Sequence, residues 1–334
     1  MELERAYLSW PEHVREVLRS WGEVKPPGER YAAVIAVGMG GSGIVGDYLR
    51  LLNELYGGVP ILVQKSHRLP AFASKASLVL SISYSGNTHE TLQATEEAAR
   101  RGLDVVAICS GGKLCELAEA RGFPAVHVRS GLVPRASLAS MLYGALSVLA
   151  SRGLTGVTYE EAERSVAWLE GSARAVARAS SEAAQALSGH KGHVVVATHA
   201  PLEPLAIRAK NELNENSKLP AKVEVAPEWM HNDIVGYELG GDAGAVLELL
   251  DPEDLAGARL VEFMERAYRR LGAKIVRLEA RGNSYLEKVM GLSLEVGLLS
   301  IAIARARGVD PAETRSIAEY KAVADEIFRG ERAP

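Results

Sequence analysis

Cysteine is nearly absent. The 334 residues hold two, Cys109 and Cys115, too few for a disulfide framework and spaced unlike a CxxC site, so the chain is expected in a reducing, cytoplasmic compartment. A basic patch is missing as well. The formal net charge is -4, and no window of Lys and Arg has the density of a surface that tracks nucleic acid, so no nucleic-acid partner is expected. No apolar run nears the roughly 18 residues that a membrane span needs. The opening stretch "MELERAYLSWPEHVREVLRSW" is amphipathic and too acidic for a signal peptide, and no membrane association is expected. Glutamine is scarce, at three residues, and most basic residues are arginine; a hot habitat and a GC-rich genome would each leave that mark. The eight histidines are scattered. His190 with His193, and His231 with Asp233, lack further ligands at zinc spacing, and no GxSxG follows a strand. Neither a metal, an organic cofactor nor a nucleophile elbow is expected.

What is there is the composition of a soluble globular protein, with 47% hydrophobic and 24% charged residues, and a length that suggests about two domains. "YAAVIAVGMGGSGIVGDYLRLL" reads as a buried strand, a glycine turn and a helix from about Ser42, because the run before the glycines is continuous and β-branched. "PILVQKS" and "ASLVLSISYS" are further strands, the second feeding a helix from Thr88 to Arg101. "DVVAICS", "KLCELAEARG" and "PAVHVRS" continue as strand, helix, strand. The chain then turns helical through "LVPRASLASMLYGALSVLASRG" and a long Ala-rich stretch, and the seam between domains is expected near Gly153. A second alternation follows, from "HVVVATHA" to the long buried helix "YLEKVMGLSLEVGLLSIAIARARG". The expectation is an α/β chain with two doubly wound, mainly parallel sheets flanked by helices, covering 1–153 (with an N-terminal helix) and 154–334, whose ligands sit at the carboxyl ends of strands.

Two loops carry chemistry. In "LSISYSGNTHETLQATEEAARRG" an apolar strand breaks into Ser83, Ser85 and Thr88 around one glycine just before a helix start, which concentrates free N–H groups, hydroxyls and a positive dipole end. Such a place suits an anion. "GMGGSG", Gly38 to Gly43, departs from the dinucleotide spacing GxGxxG, and no acidic residue closes the strand "PILVQKS" where a ribose would need one. A monophosphate or sugar site with Ser42 as donor fits better; the plain alternative is glycines that only permit tight strand-to-helix packing.

"GMGGSG" followed some forty residues later by "SYSGNTHET" resembles the SIS (sugar isomerase) domain, which binds phosphosugars. "NELNENSKLPA", "PEWMHNDIVG" and "DPAETRSIAEYK" narrow the resemblance to the bifunctional phosphoglucose/phosphomannose isomerases of archaea and some bacteria. The resemblance implies two SIS-type domains that interconvert glucose, mannose and fructose 6-phosphates through a cis-enediol(ate), without metal or cofactor. By it, Gly41, Ser42, Ser83, Ser85 and Thr88 hold the phosphate, Arg135 supports the reacting carbons, and Glu215, His231 and Lys321 do proton chemistry. A homodimer with shared active sites is implied, the histidine coming from the neighbouring subunit. The chemistry asks for these residue types. One base must take and return a proton between C1 and C2, and Glu215 serves if its surroundings raise its pKa. A guanidinium such as Arg135 stabilises the enediolate more than the neutral sugar. Ring opening needs a proton carrier, for which His231 is suited, and Lys321 would polarise the ring oxygen. Thr314 stands where the glucose-specific isomerases carry glutamine, and its small side chain would let the intermediate rotate so that both epimers are accepted. Two alternatives remain: a non-catalytic SIS module that senses sugar phosphates, and an aminosugar-phosphate isomerase.

Overall fold

The computed structural model describes residues 2–241 and 243–328. Two helices open it, α1 (Glu2–Leu8) and α2 (Trp10–Leu18), where the sequence suggested one. The break falls just before Pro11, which lacks an N–H and so suits the first turn of a helix rather than its interior. Strand and helix then alternate through β1 (Ala33–Val37), α3 (Gly40–Tyr56), β2 (Ile61–Gln64), β3 (Ser77–Ile82), α4 (His89–Arg100), β4 (Asp104–Cys109), α5 (Gly112–Arg121) and β5 (Ala125–His127). A 3₁₀ turn, Pro134–Ser137, leads into α6 (Leu138–Ala150) and then α7 (Tyr159–Leu187). The second alternation comprises β6 (Val194–His199), α8 (Glu203–Glu215), β7 (Ala221–Ala226), 3₁₀ turns at Glu228–His231 and Asp233–Tyr237, β8 (Ala245–Leu250), α9 (Leu255–Arg270), β9 (Lys274–Glu279) and α10 (Tyr285–Ala306); α11 (Arg315–Ile327) follows.

By contact the chain forms two compact units: residues 9–166 with those from Thr314 onward, and residues 167–313 with those up to Leu8. The sequence suggests a seam near Gly153; these units part within α7, between Val166 and Ala167. All pairings between named strands are parallel, as expected of an α/β chain of this kind.

The first unit orders its strands β2-β1-β3-β4-β5. Ile35 pairs in register with Leu62 on one side and Val79 on the other, and Ile35, Val79 and Val105 are fully buried with Ala94 and Ala98 of α4. Each buried valine or isoleucine contributes about 1.5–3 kcal/mol by leaving water, which explains the unbroken apolar runs.

The second unit repeats the order as β7-β6-β8-β9, with Trp229, Met264 and Tyr268 packed on Val195, Ala197 and Val246. Here one expectation fails. Tyr285–Ala306 is long and apolar enough to cross a membrane by composition, but most of it is buried inside the protein. The chain does contain a run of that length, and packing rather than length identifies it as a core helix.

Candidate active site

In the first sheet the strand order reverses between β1 and β3, so connections leave the ends of these strands in opposite directions and open a crevice. The two loops singled out in the sequence meet there. Ser42 lies buried in the first turn of α3, and its Oγ accepts a hydrogen bond from the Tyr84 N–H at 3.0 Å, tying one loop to the other. Ser83 Oγ, fully buried, donates to Thr88 Oγ1 at 3.0 Å. Thr88 is the N-cap residue of α4, yet its side chain makes no capping bond, so the hydroxyl is not turned back onto its own helix. Ser85 Oγ accepts from the Asn87 N–H at 3.3 Å. Two helix starts, whose first N–H groups have no acceptor inside the helix, therefore share one crevice with these hydroxyls.

Arg135 arrives on the 3₁₀ turn after β5. A Cβ at Gly41 would stand 2.8 Å from the Arg135 backbone nitrogen, so only glycine lets the α3 start and this turn approach so closely. Trp10 Nε1 anchors the same turn by donating to the Ala136 carbonyl at 2.7 Å. Arg135 is 5% exposed, which puts a permanent cation in a largely dry position. The structure thus brings together Gly41, Ser42, Ser83, Ser85, Thr88 and Arg135.

Glu215 ends α8 and is half-buried. Lys218, the only non-glycine residue with positive φ (52°) among the described residues, closes that helix end. Its ammonium donates to the carbonyls of Glu215 at 2.6 Å, Asp310 at 2.8 Å and Glu313 at 2.6 Å, a favourable place for a cation. One turn earlier, Glu212 is buried and accepts from Tyr7 Oη at 2.8 and 2.7 Å and from Asn216 Nδ2 at 2.6 Å, and it pairs with Arg208. Asn216 also donates to Ser300 Oγ at 2.9 Å. Sequence reasoning missed Glu212, Asn216 and Lys218. Arg208 and Asn216 lie four residues from Glu212, but Tyr7 lies 205 residues away, and that pairing leaves no local mark in the sequence.

His231 is exposed at the end of its 3₁₀ turn, while Trp229 in the same turn is fully buried and donates from Nε1 to Glu224 at 2.7 Å. Burial opposes ionisation of Glu224, but hydrogen bonds from Lys222, Tyr268 and Tyr237 outweigh it and hold the carboxyl below its usual range. The turn is therefore pinned by its tryptophan and presents its histidine to solvent.

Thr314 is the N-cap residue of α11 and Lys321 stands exposed on that helix. Tyr320 fastens α11 by donating to Glu90 Oε1 at 2.5 Å, a bond that foremost pushes the phenol up to about 12. Thr314 and Lys321 belong to the unit of the anion loops, Glu215 and His231 to the other.

The two cysteines, too few for a framework, are nonetheless joined: the last residue of β4 and the second turn of α5 bring Cys109 and Cys115 to a Cα–Cα distance of 6.2 Å in a disulfide. Sheet register sets His127 opposite Cys109, and its Nδ1 stands 3.7 Å from Cys115 Sγ; joined to each other, the two sulfurs are not free thiolates.

Known families fit this arrangement. Residues 32–120 match the SIS domain, and residues 175–323 match the bacterial phospho-glucose isomerase C-terminal SIS domain. A bifunctional phosphoglucose/phosphomannose isomerase of Aeropyrum pernix is 34% identical, covering 98% of this chain and 100% of that one. The chain belongs to the bifunctional phosphoglucose/phosphomannose isomerase family. A second relative of that name, from Aquifex aeolicus, is 32% identical over 90% of this chain and 93% of its own. A D-glucosamine-6-phosphate 4-epimerase of Sulfolobus acidocaldarius is 27% identical over 98% of this chain and 100% of its own. Among solved structures, the C-terminal domain of glucosamine-fructose-6-phosphate aminotransferase from Francisella tularensis superposes with TM-score 0.75 at 16% identity, covering 93% and 98% of the two chains, a likeness of fold. In the second sheet the matching strand end is occupied by His199, fully buried, and a Cβ at Gly257 would fall 2.1 Å from its ring.

Proposed function

We propose that the chain interconverts glucose 6-phosphate, mannose 6-phosphate and fructose 6-phosphate as an aldose-ketose isomerase. The observation that carries the reading is the crevice between β1 and β3, where hydroxyls and two helix starts face one place beside a buried arginine. Neutral donors and helix dipoles suit a phosphate dianion, and they leave Arg135 for the charge that develops on the enediolate. Gly41, Ser42, Ser83, Ser85 and Thr88 hold the phosphate. Glu215 carries the proton between C1 and C2, and His231 and Lys321 open the ring. The reaction is internal proton transfer and proceeds in the cytosol, where charged sugar phosphates are retained.

The active form is a homodimer in which His231 serves the neighbouring subunit. Exposure of His231 and Lys321 supports this. So does the apolar stripe on α11, where Ile317, Tyr320, Val323 and Ile327 are 38–56% exposed.

The test is to incubate the pure protein with fructose 6-phosphate and EDTA, identify the products, and repeat with Glu215→Gln. Glucose and mannose 6-phosphates are expected from the parent. Both rates should fall together by about 10²- to 10⁴-fold in the variant, with substrate still bound. Near-normal turnover by the variant removes Glu215 as the shared base. The 4-epimerase relative makes glucosamine 6-phosphate the comparison substrate; turnover of that sugar alone would overturn the reading.

A further inference from the structure

Cys109 closes β4 as a fully buried residue, and Cys115 is half-buried in α5. The five residues between the bonded sulfurs, Ser110 to Leu114, form the backing of the loop that carries Ser83, Ser85 and Thr88. The Ser110 N–H and hydroxyl both donate to the Tyr84 carbonyl, at 2.9 and 2.7 Å. The Leu114 N–H donates to the Gly86 carbonyl at 2.8 Å, and the Lys113 N–H to Asn87 Oδ1 at 3.1 Å. Contact is so close that a Cβ at Gly86 would lie 1.9 Å from the Gly111 carbonyl oxygen. The disulfide closes this backing into a small ring. On the far side Cys115 lines a recess of about 500 Å³ with Glu116, Glu119, Phe123 and His127. His127 Nδ1 stands 3.7 Å from Cys115 Sγ.

We infer that the Cys109–Cys115 bond is a reversible modification site for a dithiol reductant, and that its state sets how firmly residues 84–87 are held for the phosphate. The inference rests on the reading of that loop as the phosphate site. A thiolate of the dithiol enters through the recess and attacks Cys115 Sγ; the bond to Cys109 breaks, and Cys109 leaves as a thiolate that takes a proton. The second thiolate of the reductant then attacks its own sulfur in the mixed disulfide. Cys115 is released beside the His127 ring, and the reductant departs as a cyclic disulfide. Two electrons pass to the protein and the dithiol is oxidised. His127 stabilises the Cys115 thiolate, which makes this sulfur the one that starts the return reaction with a disulfide oxidant. The 110–114 backing, no longer tied at both ends, loosens and the anion loop with it.

The experiment measures binding of sorbitol 6-phosphate, which has no carbonyl to react, to the whole chain before and after dithiothreitol, with a thiol count. Wild type, Cys115→Ser and Thr88→Val are compared. The expected result is two thiols released per wild-type chain and an affinity about fivefold weaker once reduced, the lower end of coupling between linked sites. Cys115→Ser should bind weakly whatever the redox state. Two thiols released with unchanged affinity, while Thr88→Val still weakens binding, overturns the inference and leaves the phosphate reading standing. If Thr88→Val binds normally, the loop is not the phosphate site and both fall.

Discussion

Thr314 stands at the start of a helix without capping it: the residue occupies the N-cap of α11 at φ -142° and ψ 64°, and its side chain makes no capping bond. The ordinary use of threonine at this position is therefore not the reason for it. Glucose and mannose 6-phosphates share an enediol and differ in the face of C2 that receives the proton. With one fixed base, the intermediate must turn about C2–C3, and a small residue leaves it room. Thr314→Gln is expected to lower kcat/KM for mannose 6-phosphate about tenfold or more while keeping most of the value for glucose 6-phosphate. Steady-state kinetics on both sugars decides it, and equal losses would make Thr314 a packing residue. The residues of the anion crevice were legible in the sequence because their arrangement is local: strand, turn and helix start follow one another within a few positions. Glu212 and Lys218 were not, because their meaning depends on Tyr7 and on the carbonyls of Asp310 and Glu313.

At the scale of elements, both runs of alternating strands and helices were readable, since strands buried on both faces must be apolar throughout. Helix α10 was readable as a long buried helix, because apolar residues dominate it with little amphipathic stripe; its length was what the sequence reading underrated. It also buries a carboxyl. Glu295 is 5% exposed, and burial, foremost, pushes it up to about 7 from 4.5, with Arg281 pulling it down and Glu279 pushing it up. The folded state holds this proton more tightly than the unfolded chain, so the contribution of Glu295 to stability is fully present below about pH 4.5 and is lost as pH rises through about 7. Glu295→Gln is expected to raise stability at pH 8.5 by roughly 1–3 kcal/mol and to make little difference near pH 4.5. Melting curves of both proteins across this range should converge at the acid end; parallel curves would refute the account. Glu248, also pushed up to about 7 by burial foremost, is present in both proteins and cancels in the comparison.

Over the whole molecule, the fold is doubled but the glycine-lined crevice is not: at the matching strand end of the second sheet the buried His199 packs against Gly257. The N-terminal segment is fastened with care. Tyr7 is fully buried, its ring so near α10 that a Cβ at Gly297 would lie 2.2 Å away, and its hydroxyl meets the buried Glu212 carboxylate. Tyr7→Phe removes a hydrogen bond to a charged group and is expected to lower stability by about 1.5–3 kcal/mol, read as a lower midpoint in urea with unchanged m. An unchanged midpoint would mean that Arg208 and Asn216 alone satisfy Glu212. The assignment of the first eight residues to one unit, and of the residues from Thr314 onward to the other, bears on how the protein tolerates cutting. No single scissile point yields two self-sufficient pieces. A break between Val166 and Ala167 strands Tyr7 on the fragment that has no Glu212, and leaves Tyr320 apart from Glu90. Separating the two units therefore takes three cuts, after Leu8, Val166 and Glu313, with each short end segment carried over to its own unit.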